Sequence, residues 1–213
     1  MVLMIPLLID LTDKKIVIFG GGAVGERKAR LFARYGKVEV ASRDFTPELR
    51  EMATRDEIRL REIELSANTL NLEPIIQDAF IVIPATDDEN VNLRVIELAE
   101  RLGILINRTD EIQGDITVPS IIEKGDITIS ISTGGMSPAM SKFLRKKLER
   151  EVTEADRRMV NLQRRLRSVL KDKITKQKRR EEILWDVLED QAIWDMLLED
   201  ENRAFELSLA KIG

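Results

Sequence analysis

Apolar positions along the chain switch between two periods. Strand-like runs at Lys15–Phe19, Val38–Ala41, Ile58–Ile63, Phe80–Pro84 and Ile104–Asn107 alternate with stretches of helical spacing that start near Val24, Pro47, Leu70 and Asn90. Thr46-Pro47-Glu48 reads as an N-cap followed by proline at the first helical position. Val95, Ile96, Ala99 and Leu102 fall on one helical face, and Gly103 supplies the stop. Alternation of this kind predicts an open parallel sheet covered by helices on both faces.

The pattern changes after Asp110. Two β-branched runs, Ile116–Ile122 and Ile127–Ile131, are joined by Glu123-Lys124-Gly125-Asp126, which predicts an antiparallel hairpin. Ser132-Thr133-Gly134-Gly135 follows, and Ser137-Pro138 opens a helix. A hairpin with open edges is commonly covered by a second subunit. From about Glu151 the chain is helix-forming, with no proline or glycine before Gly213. The predicted fold is therefore α/β: an N-terminal Rossmann-like parallel sheet over residues 1–115, a β-hairpin dimerisation segment over 116–150, and a small all-helical domain over 151–213.

Composition narrows the chemistry. A 43% hydrophobic and 34% charged chain with nine aromatics (two Trp, one Tyr, six Phe) describes a globular protein poor in stacking platforms for single-stranded nucleic acid. It has no cysteine, which excludes disulfides and thiolate sites and fits a reducing, cytoplasmic setting. It also has no histidine, so acid–base work falls to carboxylates, lysines, tyrosine or the substrate, and no metal-ligand set is predicted. Met1 to Leu11 is apolar but lacks a basic start and a small-residue cleavage site. It is expected to pack beside the first strand. No apolar stretch approaches a membrane span. The net charge of −4 conceals segregation: residues 142–180 carry 16 basic and 5 acidic groups, and residues 181–211 carry 10 acidic and 2 basic. Three readings follow: helices paired across opposite charge, a basic wall facing a polyanionic small molecule, or a nucleic-acid surface. The last is weakened by the acidic balance.

The most specific signal follows the first strand. Gly20, Gly22 and Gly25 fall on the G-x-G-x-x-G spacing between an apolar run and a helical pattern. In a dinucleotide site the first glycine permits the tight turn, the second admits the pyrophosphate, and the third lets helix and strand pack closely. Ala23 and Val24 would then present backbone N–H groups to the phosphates. Ser42-Arg43-Asp44 ends the second strand, where an adenosine ribose would lie. Asp44 could hold a 2′-hydroxyl, and Arg43 could accept a 2′-phosphate or stack on adenine. Thr86 follows the fourth strand at its carboxyl end, as a ligand contact or as part of a helix cap.

Several separated motifs resemble one family. They are Ile5-Pro6-Leu7-Leu8-Ile9-Asp10-Leu11, Gly20 to Lys28, Ala85-Thr86-Asp87-Asp88, Asn107 to Asp110, Pro119-Ser120-Ile121-Ile122, and Ser132-Thr133-Gly134-Gly135-Met136-Ser137-Pro138. In this order they resemble the siroheme-synthase type of precorrin-2 dehydrogenase over about residues 5–150, while the tail matches in length and character. The resemblance implies oxidation of precorrin-2 to sirohydrochlorin with NAD as hydride acceptor, and a homodimer with an intertwined middle segment. Some members also insert ferrous iron as sirohydrochlorin ferrochelatases. It also implies a catalytic role for Asp110, the aspartate of the family's Asn-x-x-Asp motif, as the base that takes a proton while a hydride leaves. Arg108-Thr109 replaces the usual apolar pair, and Arg43-Asp44 stands where many members have small residues or proline. NAD is the expected cofactor. Ser132, Thr133 and Gly134, with Lys142 and Arg145, are the candidate substrate-binding residues, seating carboxylates at a helix N-terminus. Neither nucleic acid nor membrane is an expected partner. A rival reading is a nucleotide-sensing Rossmann module without tetrapyrrole chemistry; it accounts for Gly20 to Gly25 but not for the hairpin motif or the basic tail.

Overall fold

A computed structural model describes residues 4–65, 72–109 and 114–212. The chain forms two compact units, Met1–Val118 and Pro119–Gly213.

The first unit is a five-stranded parallel sheet built from β1 (Lys15–Phe19), β2 (Lys37–Ser42), β3 (Ile58–Glu62), β4 (Ile81–Pro84) and β5 (Leu105–Ile106), in the order β3-β2-β1-β4-β5. Its helices are α1 (Ala23–Phe32), α2 (Pro47–Thr54), α3 (Glu73–Ile76) and α4 (Glu89–Leu102). The run Ile16-Val17-Ile18-Phe19 is wholly buried, and its alternation feeds two cores. Ile16 and Ile18 pack with Ala29, Phe32, Leu49 and Met52 of α1 and α2. Val17 and Phe19 pack with Ile75, Ile76, Val91, Val95 and Ala99 of α3 and α4. Continuous apolar strands are therefore explained by cover on both faces.

The predicted helix starts near Val24, Pro47 and Asn90 agree with α1, α2 and α4 to within a residue, and Thr46 caps α2 by accepting from the Leu49 N–H. Gly103 ends α4 in the left-handed region, at φ 69°. The predicted start near Leu70 lies outside the described residues. The apolar lead-in departs from expectation. Ile5, Leu7 and Leu8 are 76%, 69% and 87% exposed, and Leu11 is the residue that joins the sheet's core.

In the second unit, β6 (Ser120–Lys124) and β7 (Ile127–Ile131) form the expected antiparallel hairpin, in register Ser120↔Ile131 to Lys124↔Ile127. The turn is tighter than the four residues predicted: Gly125 and Asp126 suffice, because Gly125 adopts φ 59°. The hairpin also starts later than predicted. Ile116 and Val118 pack into the sheet's core, and the Ile116 N–H donates to Ile106 O at 3.1 Å.

Helices α5 (Pro138–Glu151), α6 (Glu154–Lys173), α7 (Gln177–Leu188), α8 (Gln191–Glu199) and α9 (Glu201–Ala210) complete this unit. Met159, Leu162, Leu166 and Leu170 form one buried stripe on α6 and meet Ile183, Val187, Ile193, Leu197 and Ala204. Without glycine or proline, side-chain caps mark three of the breaks, where Thr153 and Asp156 form a capping box and Asp190 and Asp200 cap α8 and α9, while α7 starts at Lys176 with no side-chain cap. Two ion pairs join the basic and acidic blocks among the described residues, Arg158–Glu201 and Arg179–Glu182. Mutual neutralisation therefore accounts for little of the basic run. No helix among the described residues is long and apolar enough to cross a membrane.

Hydrogen bonds from Thr153, first its hydroxyl and then its backbone N–H, hold the Asp156 carboxyl below the usual aspartate range. A depressed value stabilises the fold above the unfolded aspartate pKa of about 3.9, and that contribution is lost as pH falls through the folded value. Thr153→Ala should cost about 1 kcal/mol at pH 7. The gap from wild type in thermal unfolding should narrow below about pH 4.

Candidate functional site

The strand order reverses between β1 and β4, and ligands of open α/β sheets bind beyond the strand ends at such a point. The glycine turn lies there. Gly20 has φ 114°, and a Cβ on it would stand 2.2 Å from Ala85 O, where the chain leaves β4. Its N–H donates to Ala41 O at 2.9 Å, while the Ala85 N–H donates to Phe19 O at 2.8 Å. These bonds draw the ends of β1, β2 and β4 together. A Cβ on Gly25 would stand 1.9 Å from Gly20 O, so α1 rests directly on the turn. Gly21 is equally constrained, with Asp44 O 2.0 Å from its Cβ position, although the spacing motif leaves that position free.

Gly22 is different. It is extended (φ −84°, ψ −168°), and its Cβ position meets nothing within 4 Å. It is also the N-cap of α1, with no side-chain cap hydrogen bond. Backbone N–H groups of a ten-residue helix thus face open space beside two exposed residues, Gly22 and Ala23, with Val24 half-buried behind them. The donors and the gap fit a dinucleotide pyrophosphate.

Arg43 and Asp44 stand at the end of β2 and are both exposed. Arg43 Nε donates to Asp44 Oδ2 at 2.8 Å, and its Nη1 lies 3.8 Å from Glu64. The hydrogen bond and charge of Asp44, followed by the charge of Glu64, raise the Arg43 guanidinium above its ordinary value. A carboxylate accepts at both oxygens, so Asp44 retains capacity for a ribose hydroxyl while paired. Thr86 is tied into the cap of α4. Its N–H and Oγ1 donate to Asn92 Oδ1 at 3.1 and 2.8 Å, and Asn92 Nδ2 returns a bond to Thr86 O at 2.9 Å. Asp88 accepts from the Asn90 and Val91 N–H groups. The helix-cap role of Thr86 is explicit, and it leaves the residue at the carboxyl end of β4. The Asn92 clamp had no signature in the sequence.

Asp110 lies outside the described residues. The residues that precede it are held by hydrogen bonds. Thr109 Oγ1 donates to Pro84 O at 2.7 Å, and Asn107, 2% exposed, donates through its N–H to Val82 O at 3.0 Å. Asn107 Nδ2 donates to Ile116 O at 2.8 Å, and its Oδ1 accepts from Lys28 Nζ at 2.7 Å. Burial pushes the Lys28 ammonium below the usual lysine range, and the charge of Arg27 adds to this.

The second unit holds the other candidates. Ser132 Oγ accepts from the Gly134 N–H, and Gly134 and Gly135 have φ 60° and 81°. Thr133 Oγ1 accepts from the Ser137 N–H at 3.1 Å and lies 3.1 Å from Ser141 Oγ, so its hydroxyl braces the turn. Ser137 caps α5 through the Met140 N–H. Lys142 is exposed, whereas Arg145 pairs with Glu149 at 2.8 Å. Among the described residues no group of three or more Asp or Glu side chains is arranged to hold a metal ion.

Comparison with known proteins agrees with this geometry. A family model described as "Putative NAD(P)-binding" matches residues 7–120, and the sirohaem biosynthesis protein central model matches residues 124–151. A precorrin-2 dehydrogenase of Methanosarcina barkeri is 44% identical over 210 residues, covering 98% of this chain and 93% of that protein. A siroheme synthase of Nitrosococcus oceani is 31% identical over 173 residues, covering 80% of this chain and 36% of its own length. The solved structure of SirC, a precorrin-2 dehydrogenase, superposes with a TM-score of 0.72 at 19% identity, covering 97% of this chain and all of that one. Sheet order, glycine turn and family model define an NAD(P)-binding protein of the Rossmann type. Within that class, the chain belongs to the precorrin-2 dehydrogenase family. The likeness to the Methanosarcina protein includes the helical tail, beyond the 5–150 stretch that carries the motifs.

The glycines predict opposite phenotypes. Gly25→Ala should destabilise by about 3 kcal/mol, the upper end of overpacking costs, because backbone meets backbone. Gly22→Val should keep wild-type unfolding within about 0.5 kcal/mol while weakening NAD binding at least about tenfold. Thermal unfolding and calorimetric titration distinguish them.

Proposed function

We propose that the chain binds NAD at the Gly20–Gly25 turn and oxidises precorrin-2 to sirohydrochlorin. The observation that carries this reading is the 44% identity to a precorrin-2 dehydrogenase over nearly the whole chain, joined to a turn whose Gly22 face fits a pyrophosphate. Bound there, the nicotinamide supplies the hydride acceptor. The backbone N–H groups of Ala23 and Val24 hold the phosphates, and Asp44 receives the adenosine ribose hydroxyls, which favours NAD over NADP. The substrate loses one hydride and one proton, and we assign the proton to the carboxylate of Asp110. With no histidine or cysteine in the chain, a carboxylate is the group suited to that step at neutral pH.

Ser132, Thr133 and Gly134, with Lys142 and Arg145, are proposed to receive substrate carboxylates. Exposed Lys171, Lys173, Lys176 and Lys178 provide further positive charge for a polycarboxylate. The proposal includes a homodimer in the cytoplasm: exposed Met136 and Phe143 (88% and 61%) and a two-stranded hairpin leave surface for a second copy. Insertion of ferrous iron, as a substrate, is the second activity to assay, since Asp110 could also accept pyrrole protons.

Purified protein supplied with precorrin-2 and NAD should give the sirohydrochlorin spectrum with stoichiometric NADH. NAD binding without turnover of precorrin-2 would favour the nucleotide-sensing alternative. Asp110→Asn should lower kcat by at least about a hundredfold while leaving NAD affinity within about threefold. Asp44→Ala should reduce the preference for NAD over NADP by about tenfold, read from kcat/KM for each cofactor.

A further inference from the structure

Beyond β2 and β3 the chain runs side by side at the carboxyl edge of the sheet. The Ile63 N–H donates to Ser42 O at 2.9 Å, which continues the β2–β3 ladder past its last pair, Ser42↔Glu62. Ile63 and Leu65 both pack against the sheet's core. Glu64 stands between these two anchors, and its own side chain is 77% exposed. Residues 42–46 meanwhile close on the glycine turn. The Thr46 N–H donates to Gly21 O at 3.1 Å, and Asp44 O lies 2.0 Å from the Cβ position of Gly21. Glu64 is thus held beside the residues assigned to the adenosine ribose, although the glycine motif says nothing of it.

An arginine grips a phosphate through either of two forks, Nε with Nη2 or Nη1 with Nη2. In Arg43 one arm of each fork is engaged. Its Nε donates to Asp44 Oδ2 at 2.8 Å, and its Nη1 lies 3.8 Å from Glu64 Oε1, within ion-pair range though beyond a direct hydrogen bond. Two carboxylates therefore flank one guanidinium, and the balance of charge among the three is negative. A ribose 2′-hydroxyl is neutral and needs an acceptor, which Asp44 offers. A 2′-phosphate brings about two negative charges and needs the guanidinium free. Asp44 alone would only neutralise Arg43; Glu64 supplies the charge that tips the balance. We propose that Glu64 is a specificity-determining residue: it holds Arg43 away from a 2′-phosphate, so that the chain takes NAD and turns NADP away. Selectivity of this kind penalises the wrong ligand and needs no contact with the right one. Glu64 acts through Arg43, as a positioning residue. The inference rests on the NAD site proposed at the Gly20–Gly25 turn.

Calorimetric titration of the purified protein with NAD and with NADP, at about 0.15 M salt, tests this. Wild type should bind NAD the more tightly. Glu64→Gln should narrow the ratio of the two affinities by about two- to fivefold, the range that exposed ion pairs contribute. A merely structural loss would weaken both cofactors alike and leave their ratio unmoved. The narrowing should also depend on Arg43: in an Arg43→Ala background, Glu64→Gln should alter the ratio by less than about 1.5-fold. A ratio unchanged in Glu64→Gln, or narrowed equally with and without Arg43, would overturn the role of Glu64. In either case a wild type that prefers NAD would leave the cofactor site itself standing. A wild type that binds neither cofactor would overturn the site, and this inference with it.

Discussion

The site depends on a contact between two stretches of backbone. The N-terminal part of α1 sits on the end of β1 so closely that Gly25 and the Gly20 carbonyl leave no room for a Cβ. That approach points the positive end of the helix across the carboxyl edge of the sheet. It also fixes where Lys28 stands, with its Nζ donating to Asn107 Oδ1 at 2.7 Å. The turn within the NAD(P)-binding region and the Lys28–Asn107 pair follow from one close approach. Backbone elsewhere closes on the same turn: the carbonyls of Asp44 and Ala85 stand against Gly21 and Gly20.

The two units solve the problem of shape by different means. The sheet unit relies on buried apolar strands whose alternate residues face two helical layers. The helical unit packs one apolar stripe of α6 against three other helices and marks its corners with Thr153, Asp190 and Asp200. Among the described residues, Arg145, Arg157, Arg158, Arg179 and Lys211 pair with carboxylates in this unit and most of its other basic side chains do not, which suits a surface that meets an anion better than one that neutralises itself.

Much of this was legible because it is written in short-range patterns. The strand runs, the caps at Thr46 and Ser137 and the stop at Gly103 are local signals, and each is where the sequence reading puts it. The glycine spacing marked the close-packed turn between β1 and α1 for the same reason. What was not legible depends on contacts distant in sequence or on water. The lead-in Ile5 to Leu8 reads as core by composition, yet it is exposed, because hydropathy reports affinity for a core and not its availability. Ile116 reads as hairpin and packs on the sheet instead, since a β-branched run serves either role. The Asn92 clamp and the Lys28–Asn107 pair are polar partnerships that no local period encodes.

The brevity of β5 has a consequence for how the molecule breathes. A strand with two rungs at the margin of a sheet owes its place less to its ladder than to the core beneath it, where Ile106 is buried with Ile104. The sheet's interior, β2-β1-β4, is joined by longer ladders, whereas opening this margin would break the two β4–β5 pairs and also uncover Ile104 and Ile106. Packing thus holds the margin of the sheet where the ladder is short, so local opening at β5 costs buried apolar surface as well as hydrogen bonds.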